Sequence, residues 1–594
     1  MIARGVLALL FCLQVVAAGA EAERKVLRTV AIQSENSFDP AYEPEEASLQ
    51  YCEDIFDSLL TYDYLARPVK LVPQAAAALP EVSADGLVYT FHLKPGIYFA
   101  ADPAFKGKRR ELVAADVVFS LKRLLDPKVR SPWKFLLDGK IAGAEPVLKA
   151  AERGKFDYDA TMEGLRAIDR YTLRIHLTAP DYKLPYILAA PATGILAREV
   201  VETYGQEIGA HPVGSGPYRL AEWRRSSRVV LERNPDYREE VFQADPENTP
   251  EDAQIMREMA GKRIPQIDRI EVNVIEAEQP RWLAFLNREI DLIELIPEEY
   301  ANSAAPGGKI APNLAKQGIK LFREAKPDVW FTFFNMEDPV VGGYTPEKIG
   351  LRRAIAYAID TQTEISIVRK GMGLQAQSVI PPGIPGYDAD FRNPFGVYDP
   401  ARAKALLDQF GYLDRDGDGW RELPDGAPLV IDYWGAPTRF QRDLDELFQR
   451  SLKAVGIRIN VRKAPVQELR KMARFGKLQM RTDGWQADYP DAENFFQNLY
   501  GPNKGQANYA QFSLPAFDRL YEQTAAMPES PERNALYRKM SDLVLVYAPW
   551  RMEVHRLQNH MHYPWVLGYK KHPFLSKSWR YLDIDVALQK AALH

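Results

Sequence analysis

The chain has 594 residues, 46% of them hydrophobic and 26% charged, with a formal net charge of -4. That length predicts two or more domains with enough core to fold without covalent staples. Acids and bases are interspersed throughout, which excludes the electrostatic footprint of a nucleic-acid or membrane-surface binder.

Residues 1–20 read as an export signal. Arg4 is the basic flank, 6–16 is the apolar core, and Ala18-Gly19-Ala20 gives the small-x-small pattern that a signal peptidase accepts. The apolar run is too short to span a bilayer as a helix, and no later run reaches membrane length. Cys12 follows Phe11, where a lipidation signal needs a small residue, so no lipid anchor is expected. Cleavage after Ala20 leaves Cys52 as the one thiol, without an intrachain disulfide. In Tyr51-Cys52-Glu53-Asp54-Ile55-Phe56 it sits among apolar helical positions and reads as an inert buried thiol.

In chain order, 26–32 alternates as a strand and breaks at Asn36-Ser37-Phe38-Asp39-Pro40. Residues 47–60 have helical period, with Leu49, Cys52, Ile55, Phe56 and Leu59 on one stripe. Asp85-Gly86 is a hairpin signal, and the alternation over 87–93 predicts a half-buried antiparallel ribbon. A helix follows over 114–124, with Asp116 in its first turn where the charge suits the dipole. Residues 142–170 read as a peripheral insertion and 171–177 as a strand. His211-Pro212-Val213-Gly214-Ser215-Gly216-Pro217-Tyr218 combines two glycines with φ-fixing prolines and reads as a tight crossing between lobes. It is no phosphate cradle, because the Lys-Ser/Thr such a loop needs is missing. Residues 234–262 read as a solvated acidic excursion and 267–274 as a strand. The strand at 330–336 is apolar at nearly every position, hence buried on both faces, and helices follow at 349–360 and up to Gly411.

Several residues carry chemistry. Asp414, Asp416 and Asp418, with Gly419 in sixth place, resemble a calcium loop, but the twelfth position is the short Asp425. The default reading is a helix-to-strand turn. His555, His560 and His562 form a histidine cluster in which 560 and 562 share a strand face. With neither cysteines nor H-E-x-x-H beside them, they read as ordinary polar positions and no metal is expected. No G-x-S-x-G elbow, Walker loop, zincin motif or cofactor motif is present, and Ser215 has no sequence-evident base. In Trp485-Gln486-Ala487-Asp488-Tyr489-Pro490-Asp491-Ala492-Glu493-Asn494-Phe495, Trp485 offers an apolar wall and Asp488 a carboxylate able to hold an ammonium. On local chemistry alone the stretch also fits a strand-to-loop corner, with Trp485 in the core and Asp488 capping a turn.

That W-x-A-D-Y-x-D-x-x-x-F segment resembles one found in the oligopeptide-binding branch of the bacterial extracellular solute-binding proteins, the receptors that serve ABC importers. Further blocks agree: D-G-x-x-Y-T-F-x-L-x-P-G at 85–96, A-x-D-V-x-F-S at 114–120, P-V-G-S-G-P-Y at 212–218, L-x-R-N-P-x-Y at 231–237 and R-x-A-x-x-x-A-I-D at 352–360. The resemblance implies an α/β, two-lobed periplasmic binding protein of the large peptide-binding type, with an extra subdomain in the first lobe. Residues 24–60, 190–285 and 550–594 would build that lobe, 61–189 its extra subdomain and 286–549 the second lobe. The segment 284–292 would be the hinge between them. It implies a monomer that captures a solute without catalysis, most of all a short peptide, and delivers it to an ABC permease and its ATPases. A sugar, opine or metal chelate is the alternative cargo, and an exported hydrolase the alternative class. Asp488 would receive the peptide's α-ammonium, with Trp485, Tyr489 and Arg481 also at the ligand. Relatives that prefer tripeptides place an arginine three residues before this tryptophan. Here that position is Thr482 and Arg481 lies one step earlier, on the other strand face, so a fixed peptide length is not implied.

Overall fold

The computed structural model describes residues 24–42 and 46–593. The export signal expected at 1–20 lies outside these residues.

The strand Val26–Ala31 pairs in parallel with Arg269–Val274, which is followed across the sheet by Arg228–Arg233 and Tyr218–Arg224. Leu27, Val30, Val229, Leu231, Ile270 and Val272 supply its buried apolar side chains. A second sheet runs Glu81–Val82, Val88–His92, Thr172–His176, Leu165–Ala167. Gly86, at φ 71°, turns its hairpin, and Tyr89 and Phe91 face inward opposite Ile175 and Leu173. Asp116 accepts the Val113 N–H at 2.8 Å at the head of the helix Ala114–Leu125 and pairs with Arg110 at 2.6 Å. Both sheets share one hydrophobic cluster.

The helix expected over 47–60 is Glu46–Ile55 and stops five residues early. The cause is the backbone of the glycine block. Gly216 donates its N–H to the Ile55 carbonyl at 2.9 Å, and a Cβ on Gly214 would lie 1.8 Å from the same oxygen. The block at 212–218 therefore seals a helix end inside the first core. It is not a crossing between lobes, which corrects the sequence reading.

The second half is built on a five-stranded sheet in the order Arg458–Lys463, Val430–Gly435, Met480–Gln486, Asp328–Phe334, Trp550–Met552. Its faces are covered by two clusters. Val329, Phe331 and Phe333 belong to one, and Phe334, Ile431 and Tyr433 to the other. This is the doubly buried strand expected at 330–336.

The expected hinge at 284–292 packs elsewhere. Ile290, Leu292 and Ile293 lie in the first cluster, and Leu292 pairs with His562. Residues up to Ile319 also belong to that cluster, whereas Trp550 and Met552 belong to the second, so the expected boundaries at 286 and 550 do not coincide with the packing. The alternation at 284–292 is that of any amphipathic helix running into a strand, and nothing in it says which core it faces. The passage is made by two continuous stretches, Lys320–Ala325 running into Asp328–Phe334 and Trp550–Met552 running into Val554–His562. They pair antiparallel on both sides, with Ala325 opposite Leu557 and Phe331 opposite Met552. Between these pairs the register slips by one residue, which bends the ribbon. Asp328 pins the bend, its Oδ2 lying 2.5 Å from Arg556 Nε and its carbonyl 2.7 Å from His555 Nδ1.

Candidate functional site

A cavity of about 280 Å³ opens beside this bend. Its walls are the end of the strand Val26–Ala31 with Ile32 and Gln33, residues 324–327 of the ribbon, Gln558 and His560, the loop 571–577, and Gln486 from the second half. Its size is at the small end of ligand pockets, about 300–1,000 Å³.

Beyond Gln486 the strand ends, Ala487 still donating its N–H to the Pro327 carbonyl at 2.8 Å before the chain bends at 488–490. Gln486, the last strand residue, and Asp488, in the bend that follows, are both exposed. Asn494, fully buried, fixes the corner. Its Oδ1 accepts Trp485 Nε1–H at 2.9 Å and Asp488 N–H at 3.1 Å, while its Nδ2 donates to Asp488 Oδ2 at 2.9 Å. Neighbouring protein partly desolvates the exposed Asp488 carboxyl and raises its pKa; the Asn494 hydrogen bond opposes this and the Glu493 charge adds to it. Among the described residues no cationic side chain sets its charge.

Tyr489 turns elsewhere. Its hydroxyl donates to Glu493 Oε2 at 2.6 Å, beside the Tyr521 hydroxyl and with Lys183 Nζ 3.5 Å away. Arg481 lies toward the far end of the strand Met480–Gln486, opposite Phe333, buried and in ionic contact with Asp483 at 2.8 Å. Thr482 is tied into a buried network with Thr332, Tyr433 and Glu553. The structure thus joins Trp485 to Asp488 through Asn494. None of Trp485, Asp488, Tyr489 and Arg481 lines the cavity, whose wall takes only Gln486 from this strand.

The three histidines all lie on Val554–His562, His555 and His560 buried and His562 half-buried. Burial lowers His560 to about 3 and His555 and His562 to about 4, so all three are neutral. Among the described residues the group able to share a metal is Asp414, Asp416, Asp418 and Glu422, whose ligand atoms lie within 4.8 Å of one another. Glu422 stands where Asp425 was expected, since Asp425 instead accepts the Ala427 N–H at 3.0 Å. The group is mostly exposed, and Asp414 accepts the N–H groups of Gly417 and Gly419 while Asp418 pairs with Arg458 at 3.2 Å.

Sequence reasoning missed most of the cavity. Glu294 meets Lys577, with Lys571 at 3.9 Å, and Glu324 meets Arg67 at 3.2 Å. Glu53 holds the loop 571–577 by accepting the Ser576 and Lys577 N–H groups at 3.1 Å each. His572 Nδ1 accepts the Phe574 and Leu575 N–H groups at 3.1 and 2.9 Å, which places its proton on Nε2. No short motif links these residues; they meet only through the fold.

Comparisons with known proteins agree with this architecture. The di/tripeptide-binding protein 2 of Pseudomonas aeruginosa is 26% identical over 592 residues, covering 96% of each chain. Heme-binding protein A of Haemophilus influenzae is 25% identical, covering 86% of this chain and 84% of its own. Among solved structures, the periplasmic binding protein DppA of Helicobacter pylori in complex with the peptide STSA superposes with a TM-score of 0.65 at 24% identity, covering 95% of this chain and 99% of its own. The family described as bacterial extracellular solute-binding proteins, family 5 Middle, matches residues 70–507, most of the chain. Two halves, a paired crossing and a cavity beside it are thus the body of a solute receptor, and the chain belongs to the bacterial extracellular solute-binding proteins of family 5.

Proposed function

We propose that the protein is exported to the periplasm, captures a short peptide with a free α-amine between its two halves, and hands it unaltered to an ABC permease with its ATPases. The observation that carries the peptide reading is Asp488. It is an exposed carboxylate held in place by a buried carboxamide, with no cation of the described chain acting on it, two residues beyond Gln486, which lines the cavity. An ammonium supplies the missing charge, and selectivity for it follows from the cost of leaving either ion unpaired. The strand that ends at Gln486 and the ribbon beside it suit an elongated ligand read through its main chain, which tolerates many side chains. The name of the Pseudomonas relative is consistent with such a cargo. Closure of one half on the other then gives the permease a way to tell loaded from empty receptor.

Calorimetry with a mixed pool of di- and tripeptides against the same pool N-acetylated tests the anchor. Acetylation is expected to weaken binding at least about 30-fold. Equal binding of both pools would remove Asp488 as an amine site. Mass spectrometry of the bound pool after hours of incubation should recover it intact, and turnover would replace the receptor reading with a hydrolase.

A further inference from the structure

The charge balance of the whole chain conceals a local excess. Between Arg450 and Lys477 stand nine lysines and arginines and a single acid, Glu468. All nine basic side chains but the half-buried Arg458 are exposed. Acids and bases are therefore not interspersed here, which corrects the sequence reading and its exclusion of a membrane-surface contact.

The fold lays this stretch along one border of the second half. Arg458–Lys463 is the edge of the five-stranded sheet, at the opposite end from the ribbon strands. The helix Arg439–Lys453 precedes it and buries Leu444, Phe448 and Leu452 in one cluster, while the helix Val466–Arg474 follows it and buries Leu469 and Ala473 in the other. None of these residues lines the cavity beside the ribbon. Arg458, Arg462 and Lys463 pair with Asp418, Asp432 and Asp445, which suits a guarded sheet edge. Arg450, Lys453, Lys471 and Arg474 occupy last helical turns, where cations suit the dipole. Neither role accounts for Arg470 and Lys477, nor for the apolar groups set among them. Phe475 is 65% exposed and Val466 41%, at the two ends of the shorter helix. Among the described residues Lys471, Arg474 and Lys477, on either side of Phe475, make no ion pair. Free cations around an exposed ring match a bilayer surface, where phosphates meet the charges and the acyl boundary takes the ring.

We infer that this border docks the protein on an anionic phospholipid surface, with Arg470, Lys471, Arg474 and Lys477 on lipid phosphates and Phe475 in the headgroup layer. The chain as a whole carries a net charge of -4, so the attraction has to be local. Docking of this kind does not depend on which solute the protein carries.

Sedimentation with vesicles of about two parts phosphatidylcholine to one part phosphatidylglycerol reads the contact in the unaltered protein. At low ionic strength, binding is expected to be at least about 10-fold stronger than to phosphatidylcholine alone, and to fall by a similar factor at about 0.5 M salt. Equal binding to both vesicles overturns the inference, and no binding to either overturns it in favour of an acidic protein partner. Lys471→Glu with Arg474→Glu should weaken binding at least about 30-fold, since each cation near such a surface contributes about fivefold. Lys108→Glu with Arg166→Glu makes the same change of charge at exposed positions of the first half and should leave binding within about twofold. An equal fall in both pairs means that net charge governs, which overturns the assignment to this border. Phe475→Ser should weaken binding at least about threefold, and an unchanged value overturns the placement of the ring. The lipid and salt comparisons use the wild type and stand whether or not a variant folds.

Discussion

The carboxamide of Asn494 does two opposite things at once, accepting from Trp485 and from the Asp488 backbone while donating to the Asp488 carboxylate. Only an amide supplies both roles from one planar group. Asn494→Asp would turn the donor into an acceptor facing Asp488, and two carboxylates at that distance hold each other's protons. Binding of free-amine peptides is then expected to fall, and the pH below which it is lost to rise, by calorimetry across a pH series. Asn494→Ala leaves the Trp485 and Asp488 N–H groups without their acceptor and should destabilise the fold by about 1–3 kcal/mol in denaturant titrations. The tryptophan and the aspartate were legible in the sequence as residue types in a pattern. Asn494 stood in the same stretch unread, because its partners are set by the turn through Pro490 rather than by strand alternation. Tyr489 lies past the strand end at Gln486, so its side chain follows the turn to Glu493, which strand alternation could not disclose.

The strand Val554–His562 pairs with three others and carries three neutral imidazoles, two of them buried, and its chemistry follows from that position. Burial lowers the folded-state pKa of His560 to about 3, below the unfolded value. Such a group stabilises the fold fully above its unfolded pKa and loses that contribution as pH falls toward the folded value. Between pH 7 and pH 5 this amounts to about 2 kcal/mol for one histidine. Glu53, raised to about 7 chiefly by burial, works in the opposite direction over the same range, so the wild-type profile alone is not diagnostic. The difference between variants is: relative to wild type, His560→Gln should gain about 2 kcal/mol in urea stability on going from pH 7 to pH 5. An unchanged difference would mean that the imidazole is not held neutral. The sequence disclosed this strand's alternation but not its neighbours. It also misplaced the crossing, because a run of strand residues looks alike whether it stays in one core or passes to the next.

At the scale of the molecule, the first hydrophobic cluster and the two that cover the second half's sheet are joined by one bent ribbon, and the halves touch elsewhere at separate points. Val69 donates its N–H to the Gly383 carbonyl at 3.2 Å, Phe574 packs against both cores, and Lys183 Nζ lies 3.5 Å from Glu493 Oε2. The last contact is informative because its two ends sit on different halves and Glu493 shares a short turn with Asp488. Glu493 is 4% exposed in its side chain and already accepts two tyrosine hydroxyls, whereas Lys183 is 28% exposed. Lys183→Met should therefore leave the Glu493 network in place and remove only the bridge. Partly exposed pairs contribute about 0–1 kcal/mol, so peptide affinity should fall by no more than about fivefold. A contact that forms as the halves come together resists their parting more than it aids encounter, which puts the change in the dissociation rate. Salt screens the pair, so stopped-flow dissociation of wild type and variant should converge at high ionic strength. If the rates already coincide at low salt, the halves part without drawing on this bridge, and resistance to opening must come from the ribbon and the ligand itself.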